Sequence, residues 1–182
     1  MYFIAIYPPN NADAAFLKMK RDLFYNKSIL SAWALRPMVP LAFLSGLPDK
    51  PKPADLPAVP AAGLKFDSVE RLDDQLFLQS EDCVKICKDI LKMPCIRGLQ
   101  PVTCPAAGGF PAGSGLHLMD CREDGSPELE NLIRRNIAEL DESVKNWKTC
   151  SLCLYEVEFM NEIWWKGISL QQFWEVRLHR GR

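Results

Sequence analysis

Two histidines are the side chains of this chain best suited to proton transfer, because an unperturbed imidazole titrates near neutral pH. His117 lies in the apolar segment "GLHLMDC", and His179 lies in "VRLHR" close to the last residue. His179 falls on the polar face of a predicted strand and is interpreted as a solvated surface residue. His117 has two open interpretations, a packed and hydrogen-bonded core residue or a residue that contacts a ligand.

The seven cysteines offer a second chemistry, metal binding or redox reaction. Cys83 and Cys87 are four residues apart and should share a helix face, and Cys150 and Cys153 form a CxxC pair. A structural zinc site needs four ligands and usually two such pairs. Buried, reduced thiols are therefore the preferred interpretation, and we expect no metal and no cofactor. A zinc or redox protein built on Cys150 and Cys153 is the alternative.

Composition sets further limits. The chain has 182 residues, 48% of them hydrophobic, and a net charge of −1. Over 1–182 that is enough for one sizeable domain or for two small lobes that share a core. A nucleic-acid partner would have to be held by a local cleft, because the global charge attracts no polyanion. The start "MYFIAIYPPNN" lacks the features of a signal peptide and no apolar run reaches spanning length. We therefore expect a soluble, cytoplasmic protein without a membrane partner, and the sequence sets no oligomeric state.

Apolar runs and turn residues predict the order of elements. The predicted strands are 2–7, 38–43, a hairpin around Asp73-Asp74, 116–121, and a closing hairpin of "CLYEVEFM" and "FWEVRLH". The predicted helices are 12–26 capped by Asn11, 81–92 capped by Ser80, and one that begins at Ser126-Pro127-Glu128 and extends to about 147. Five prolines in 48–60 predict a loop with at most a short helical turn. The chain is thus predicted to be α+β.

The predicted strand 38–43 contains a proline, which conflicts with a regular position inside a sheet. Val39, Leu41 and Phe43 should lie on one face of the strand, with Met38 and Ala42 on the other. Pro40 cannot donate a backbone hydrogen bond, which predicts an edge position or a bulge there.

This order of elements resembles the two-histidine (2H) phosphoesterase superfamily, which includes the 2′-5′ RNA ligase-like proteins and cyclic nucleotide phosphodiesterases. The resemblance rests on the segments "MYFIAIYPP", "RPMVPLAFLSGLP", "DSVERLDDQLFLQ", "GLHLMDC" and "YEVEFMNEIWWKGISLQQFWEVRL". It implies one bilobal domain with antiparallel sheets around a central cleft and helices outside. It also implies metal-independent hydrolysis of a phosphodiester by one histidine from each lobe, each followed two residues later by Thr or Ser on the same strand face.

The four catalytic positions of that family are mostly lost here. By resemblance, Met38 occupies the place of the first histidine and Pro40 that of the first threonine. His117 occupies the place of the second histidine, and Met119 that of the second threonine. A thioether cannot transfer a proton, so His117 is the one position that keeps its chemistry.

The resemblance therefore implies a degenerate protein that binds a nucleotide, a short RNA or another ligand without two-histidine catalysis. The expected cleft residues are Arg36, Met38, Pro40, His117, Met119 and Trp165. Trp164 and Trp165 could stack on bases at the rim. The alternative is an active phosphodiesterase in which His117 transfers a proton and Arg36 stabilises charge.

Overall fold

Three antiparallel sheets and the helices packed on them make up the computed structural model, which describes residues 1–99, 101–102 and 115–180. The strands are β1 (Tyr2–Tyr7), β2 (Val39–Leu44), β3 (Leu64–Lys65), β4 (Ser68–Leu72), β5 (Gln75–Gln79), β6 (Pro101–Val102), β7 (Gly115–Asp120), β8 (Asn146–Trp147), β9 (Cys150–Phe159) and β10 (Ile168–Leu178). The helices are α1 (Asn10–Lys27), α2 (Leu30–Ala34), α3 (Glu81–Leu91), α4 (Pro94–Arg97), α5 (Pro127–Ala138) and α6 (Glu142–Lys145). The predicted α+β class is confirmed, and none of the helices in the described ranges has both the length and the hydropathy needed to cross a bilayer.

The largest sheet has the order β10-β9-β1-β2-β6 and separates two apolar clusters. On β1, Ile4 and Ile6 point into the larger cluster, which also contains the apolar face of α1. Phe3 and Ala5 point into the smaller cluster, which is rich in aromatic rings. This alternation is the two-residue period of a strand buried on both faces.

A bulge in β2 corrects the predicted faces of that strand. Ala5 pairs with Pro40 and Ile4 pairs with Ala42, so Leu41 is an extra residue. The bulge predicted from Pro40 is confirmed. It reverses the alternation, however, and Phe43 lies in the smaller cluster while Leu41 lies in the larger one. The predicted common face of Leu41 and Phe43 is therefore wrong.

The second sheet has the order β4-β5-β7. The predicted hairpin is confirmed, and Asp73 in its turn adopts a left-handed conformation with φ 51°. Ser80 caps α3 as predicted, since its side chain accepts a hydrogen bond from the Cys83 amide at 3.3 Å. The proline-rich loop contains a single 3-10 turn, Pro53–Asp55, as expected.

The predicted helix over 12–26 is confirmed, but its predicted cap is wrong. Pro9 occupies the N-cap of α1, and no side chain caps the helix. Asn11 instead donates from its side-chain amide to the carbonyl of Ser143 at 3.1 Å. The sequence analysis also missed α2, which follows directly after α1.

The helix that begins at Ser126 ends far earlier than predicted. Ser126 caps α5 as expected, accepting from the Leu129 amide at 3.4 Å, but α5 stops at Ala138. The apolar spacing continues to Trp147 because that residue packs against Phe66, with ring centroids 4.3 Å apart, and pairs in β8 with β3. Tertiary packing thus replaces the end of the predicted helix with the short helix α6 and the strand β8.

Candidate functional site

Met38 and His117 meet in the structure. The backbone N–H of His117 donates to the carbonyl of Met38 at 3.4 Å, which links the segment before β2 to the middle of β7. The two strands identified by resemblance therefore lie side by side, although they belong to different sheets. Both side chains are 0% exposed, so they do not face each other across an open cleft.

Aromatic rings enclose the imidazole of His117. Phe77 lies edge-on to it with ring centroids 5.7 Å apart, and Trp164 lies edge-on at 5.3 Å. Trp164 belongs to a 3-10 turn, Trp164–Lys166, in the link between β9 and β10, and is itself fully buried. The indole thus covers one side of the His117 imidazole.

Gln75 fixes the tautomer of His117. The side-chain amide nitrogen of Gln75 donates to Asp120 at 2.6 Å, so its oxygen must face the imidazole. His117 Nε2 lies 3.0 Å from that oxygen and is therefore the protonated nitrogen that donates to it. Nδ1 is then an acceptor, and it has no hydrogen-bond partner among the residues that the structure describes.

A second bulge places Asp120 on the same side of β7 as His117. Phe77 pairs with His117 and Leu76 pairs with Met119, which makes Leu118 an extra residue. Met119 consequently points into the larger apolar cluster, away from His117. The side chain of Met119 therefore does not lie beside the imidazole, as the i, i+2 spacing of the resemblance implies, and the side chain of Asp120 lies on that side of β7 instead.

Asp120 is fully buried and compensated by several donors. Besides Gln75, Arg122 donates from Nε to one carboxylate oxygen at 2.9 Å, and also from Nη2. Trp164 Nε1 donates to the other oxygen at 3.3 Å. A buried carboxylate is tolerated only with such partners, and removing one of them is costly. The carboxylate of Asp120 thus ties the Trp164 turn to β5 and β7.

Lys20 reaches the same region from α1. Its ammonium nitrogen donates to the carbonyl of His117 at 2.9 Å, and the side chain is fully buried. Burial lowers the pKa of Lys20 to about 7. Burial, followed by the positive charge of Lys20, lowers the pKa of His117 well below its usual value. His117 is therefore neutral at physiological pH.

α2 is held against the same strand end. The Glu123 carboxylate accepts hydrogen bonds from the backbone amides of Leu30 at 2.6 Å and Ser31 at 2.7 Å. The Ser31 hydroxyl accepts from the amide of Asp120 at 3.0 Å. The contact region therefore joins both sheets with α1, α2 and the Trp164 turn, and its geometry is that of a buried polar connection.

The other predicted cleft residues are distributed around this connection. Pro40 is buried at the bulge opposite Ala5. Arg36 is exposed, and its guanidinium lies 5.8 Å from the ring centroid of Tyr7. Trp165 is only 8% exposed, beneath the guanidinium of Arg122 at 4.9 Å. Neither Trp164 nor Trp165 forms the exposed stacking rim that the sequence suggested.

The cysteine pair does not form a joint ligand set. Cys150 points into the larger apolar cluster and Cys153 into the smaller one, because they are three residues apart on β9. Burial raises the pKa of each thiol to about 12. No group of three or more His, Cys, Asp or Glu suited to a metal occurs within residues 1–99, 101–102 and 115–180. His179 is exposed just beyond β10, as expected.

Three residues of the connection were not predicted, Lys20, Gln75 and Asp120, and Trp164 was predicted at an exposed rim and not within the connection. The available signals were weak. Lys20 interrupts the apolar stripe of a predicted helix, and Asp120 is the one acid in an apolar strand. Both are polar residues at buried positions, which is a reason to expect hydrogen-bonded partners.

Comparison of the chain with protein-family models, with curated proteins and with solved structures finds no match.

Proposed function

We propose that the protein is a degenerate 2H phosphoesterase-like protein that binds a ligand and does not carry out two-histidine catalysis. In this proposal the five-stranded sheet and the three-stranded sheet correspond to the two lobes of that family. The hydrogen bond from His117 to Met38 supports the proposal, because it brings together the two strands whose sequences carry the resemblance.

The enclosure of His117 is the main observation against two-histidine catalysis. A general acid or base must come within hydrogen-bond distance of the proton that it transfers. His117 is fully buried, donates from Nε2 to Gln75, and has a lowered pKa. Met38 at the other position has no transferable proton. The pair is suited to joining the two sheets.

The ligand would be a nucleotide, a short RNA or another small molecule. Trp164 occupies the space beside His117 and Trp165 packs on Trp164, so a ligand has to use the part of the sheet face that remains exposed. Arg36 and Tyr7 lie on that exposed part. A net charge of −1 makes such binding depend on local cations.

Turnover assays with 2′,3′-cyclic nucleotides and 2′-5′-linked oligonucleotides test the proposal. We expect no product above the level of a protein-free blank. The comparison set is His117→Gln and His179→Gln, the latter removing the exposed histidine as a matched control. Turnover that is lost in folded His117→Gln and kept in His179→Gln would show an active phosphodiesterase and end the proposal.

A further inference from the structure

Three side chains form a row across the exposed end of the five-stranded sheet. Tyr7 pairs with Ser151, and Ser151 pairs with Arg177, on the adjacent strands β1, β9 and β10. Directly paired residues in antiparallel strands project to the same face. Tyr7 packs against the smaller cluster, so the row shares the sheet face of Met38.

A hollow of about 640 Å³ lies over this row. Its lining includes these three side chains together with Asn10 and Thr149. Its volume falls in the range of small-molecule sites. The lining offers hydroxyl and amide groups together with one guanidinium.

The charges of the hollow are available to a ligand. Arg177 is exposed and forms no ion pair within the part of the chain that the structure describes. Glu175, two residues earlier on the same face, also lines the hollow and accepts a hydrogen bond from Gln172 at 3.4 Å. A guanidinium binds carboxylate and phosphate oxygens in a fork, and a carboxylate accepts from hydroxyl groups. The two side chains therefore fit a ligand with both an anionic group and hydroxyls.

A second hollow of about 400 Å³ adjoins the first and shares Asn11 and Thr149 with it. Asn11 is held in place by its hydrogen bond to the carbonyl of Ser143, and Lys148 lies in this second hollow. The two hollows together have room for a ligand that extends beyond its anionic group.

We infer that these hollows bind a small hydroxylated organic anion, a sugar phosphate or a sugar acid, with its anionic group on Arg177 and its hydroxyls near Glu175. The inference rests on the proposed binding function and names the class of ligand. The shared chemistry is an anion next to hydroxyl groups, and the phosphate and carboxylate forms are separate arms of the test.

The test is a titration of the ¹⁵N-labelled protein followed by NMR. The probes are ribose 5-phosphate, adenosine 5′-monophosphate and gluconate, with ribose as the uncharged control. We expect at least one anionic probe to shift the backbone amides of Asn10, Thr149, Ser151 and Arg177, and ribose to leave them unchanged. Arg177→Gln should weaken that binding by about tenfold or more.

Arg135→Gln is the matched control, because Arg135 is exposed on α5 and its loss changes the net charge equally. The inference is overturned if none of the anionic probes shifts those amides at millimolar concentration, or if Arg177→Gln binds no more weakly than Arg135→Gln. These outcomes are independent of turnover. Histidine-dependent hydrolysis would end the proposed function, whereas missing anion binding would end this inference and leave the turnover result in place.

Discussion

The indole of Trp164 lies edge-on to the imidazole of His117, with ring centroids 5.3 Å apart and planes inclined at 71°. The indole N–H donates to the buried carboxylate of Asp120. A residue from the link between two long strands thus shields the single histidine that sequence resemblance marks as catalytic. The two rings pack against each other where the two sheets meet.

Replacing Trp164 by alanine should open the environment of His117. Loss of a buried indole is expected to lower the free energy of unfolding by about 3–5 kcal/mol, measured by urea denaturation. Diethyl pyrocarbonate should modify one histidine per wild-type chain, the exposed His179, and two in the variant.

Trp164→Phe is a companion variant that keeps an aromatic ring if the alanine variant does not fold, and it should expose His117 partly. Trp33→Ala is the control, since Trp33 is 40% exposed and stacks on Phe24, and its loss should cost less than the loss of the fully buried Trp164. Two modified histidines in the wild-type protein would contradict the enclosure.

Lys20 should make stability depend on pH above neutrality. Its pKa is about 7 in the folded protein and 10.5 as an ordinary value for the unfolded chain. Between these values the unfolded chain binds a proton that the folded chain does not, so the free energy of unfolding rises with pH. Below about pH 7 the destabilisation caused by burying the charged Lys20 is complete and no longer changes with pH. The slope should approach about 1.4 kcal/mol per pH unit.

Urea denaturation of the wild-type protein and Lys20→Met at pH 7.5, 8.5 and 9.5 measures this slope. The free energy of unfolding of the wild type should rise with pH relative to that of Lys20→Met. Lys18→Met, which removes an exposed lysine from the same helix, should keep the wild-type slope. If the free energies of unfolding of the wild type and Lys20→Met change with pH in parallel, the lowered pKa of Lys20 is refuted.

Removing the charge of Asp120 should weaken the connection between the sheets. Asp120→Asn keeps the shape but leaves Arg122 and Trp164 with a poorer acceptor, and we expect a loss of about 2–4 kcal/mol in stability. Arg122 is 29% exposed at its side chain and can turn to water, which limits the loss.

Asp74→Asn is the control for that variant, because its ion pair with Arg71 is exposed and 3.8 Å long. Its loss should cost less than about 1 kcal/mol. Equal destabilisation by Asp120→Asn and Asp74→Asn in chemical denaturation would show that the buried network contributes nothing specific.

Gly63 should not tolerate a side chain. Its φ is +93°, and an added Cβ would lie 2.0 Å from the side-chain oxygen of Asn146. Gly63→Ala is therefore expected to cost about 1–3 kcal/mol. Gly98→Ala, where none of the described residues lies within 4 Å of the added carbon and φ is −83°, should be neutral or slightly stabilising. Thermal denaturation of both variants compares the two positions.

Local sequence signals were sufficient for most elements and insufficient for the faces of two strands. The caps Ser80 and Ser126 were predictable because each bonds within its own first turn. The bulges at Leu41 and Leu118 depend on the partner strand, so a count of alternate residues within one strand cannot reveal them. The extra residue in β7 is why Asp120 was overlooked and Met119 was expected beside His117.

The end of α5 was missed for a related reason. The stripe that includes Val144 and Trp147 has helical spacing, yet those residues are buried by contacts with distant segments. Trp164 was equally hidden, because it follows His117 by 47 positions and joins it only through the fold. Most helices, strands and turns here follow from local sequence, whereas the burial of His117 depends on residues that are distant in the chain.

The amide of Gln75 also sets how many protons the buried connection holds. Its oxygen faces an N–H of His117 and its nitrogen faces the carboxylate of Asp120, so neither neighbour must gain or lose a proton for the set to be satisfied. A glutamate at this position would differ by one terminal group, yet it would bring two carboxylates within hydrogen-bond distance and demand an added proton. The amide of Gln75 satisfies both neighbours without that added proton.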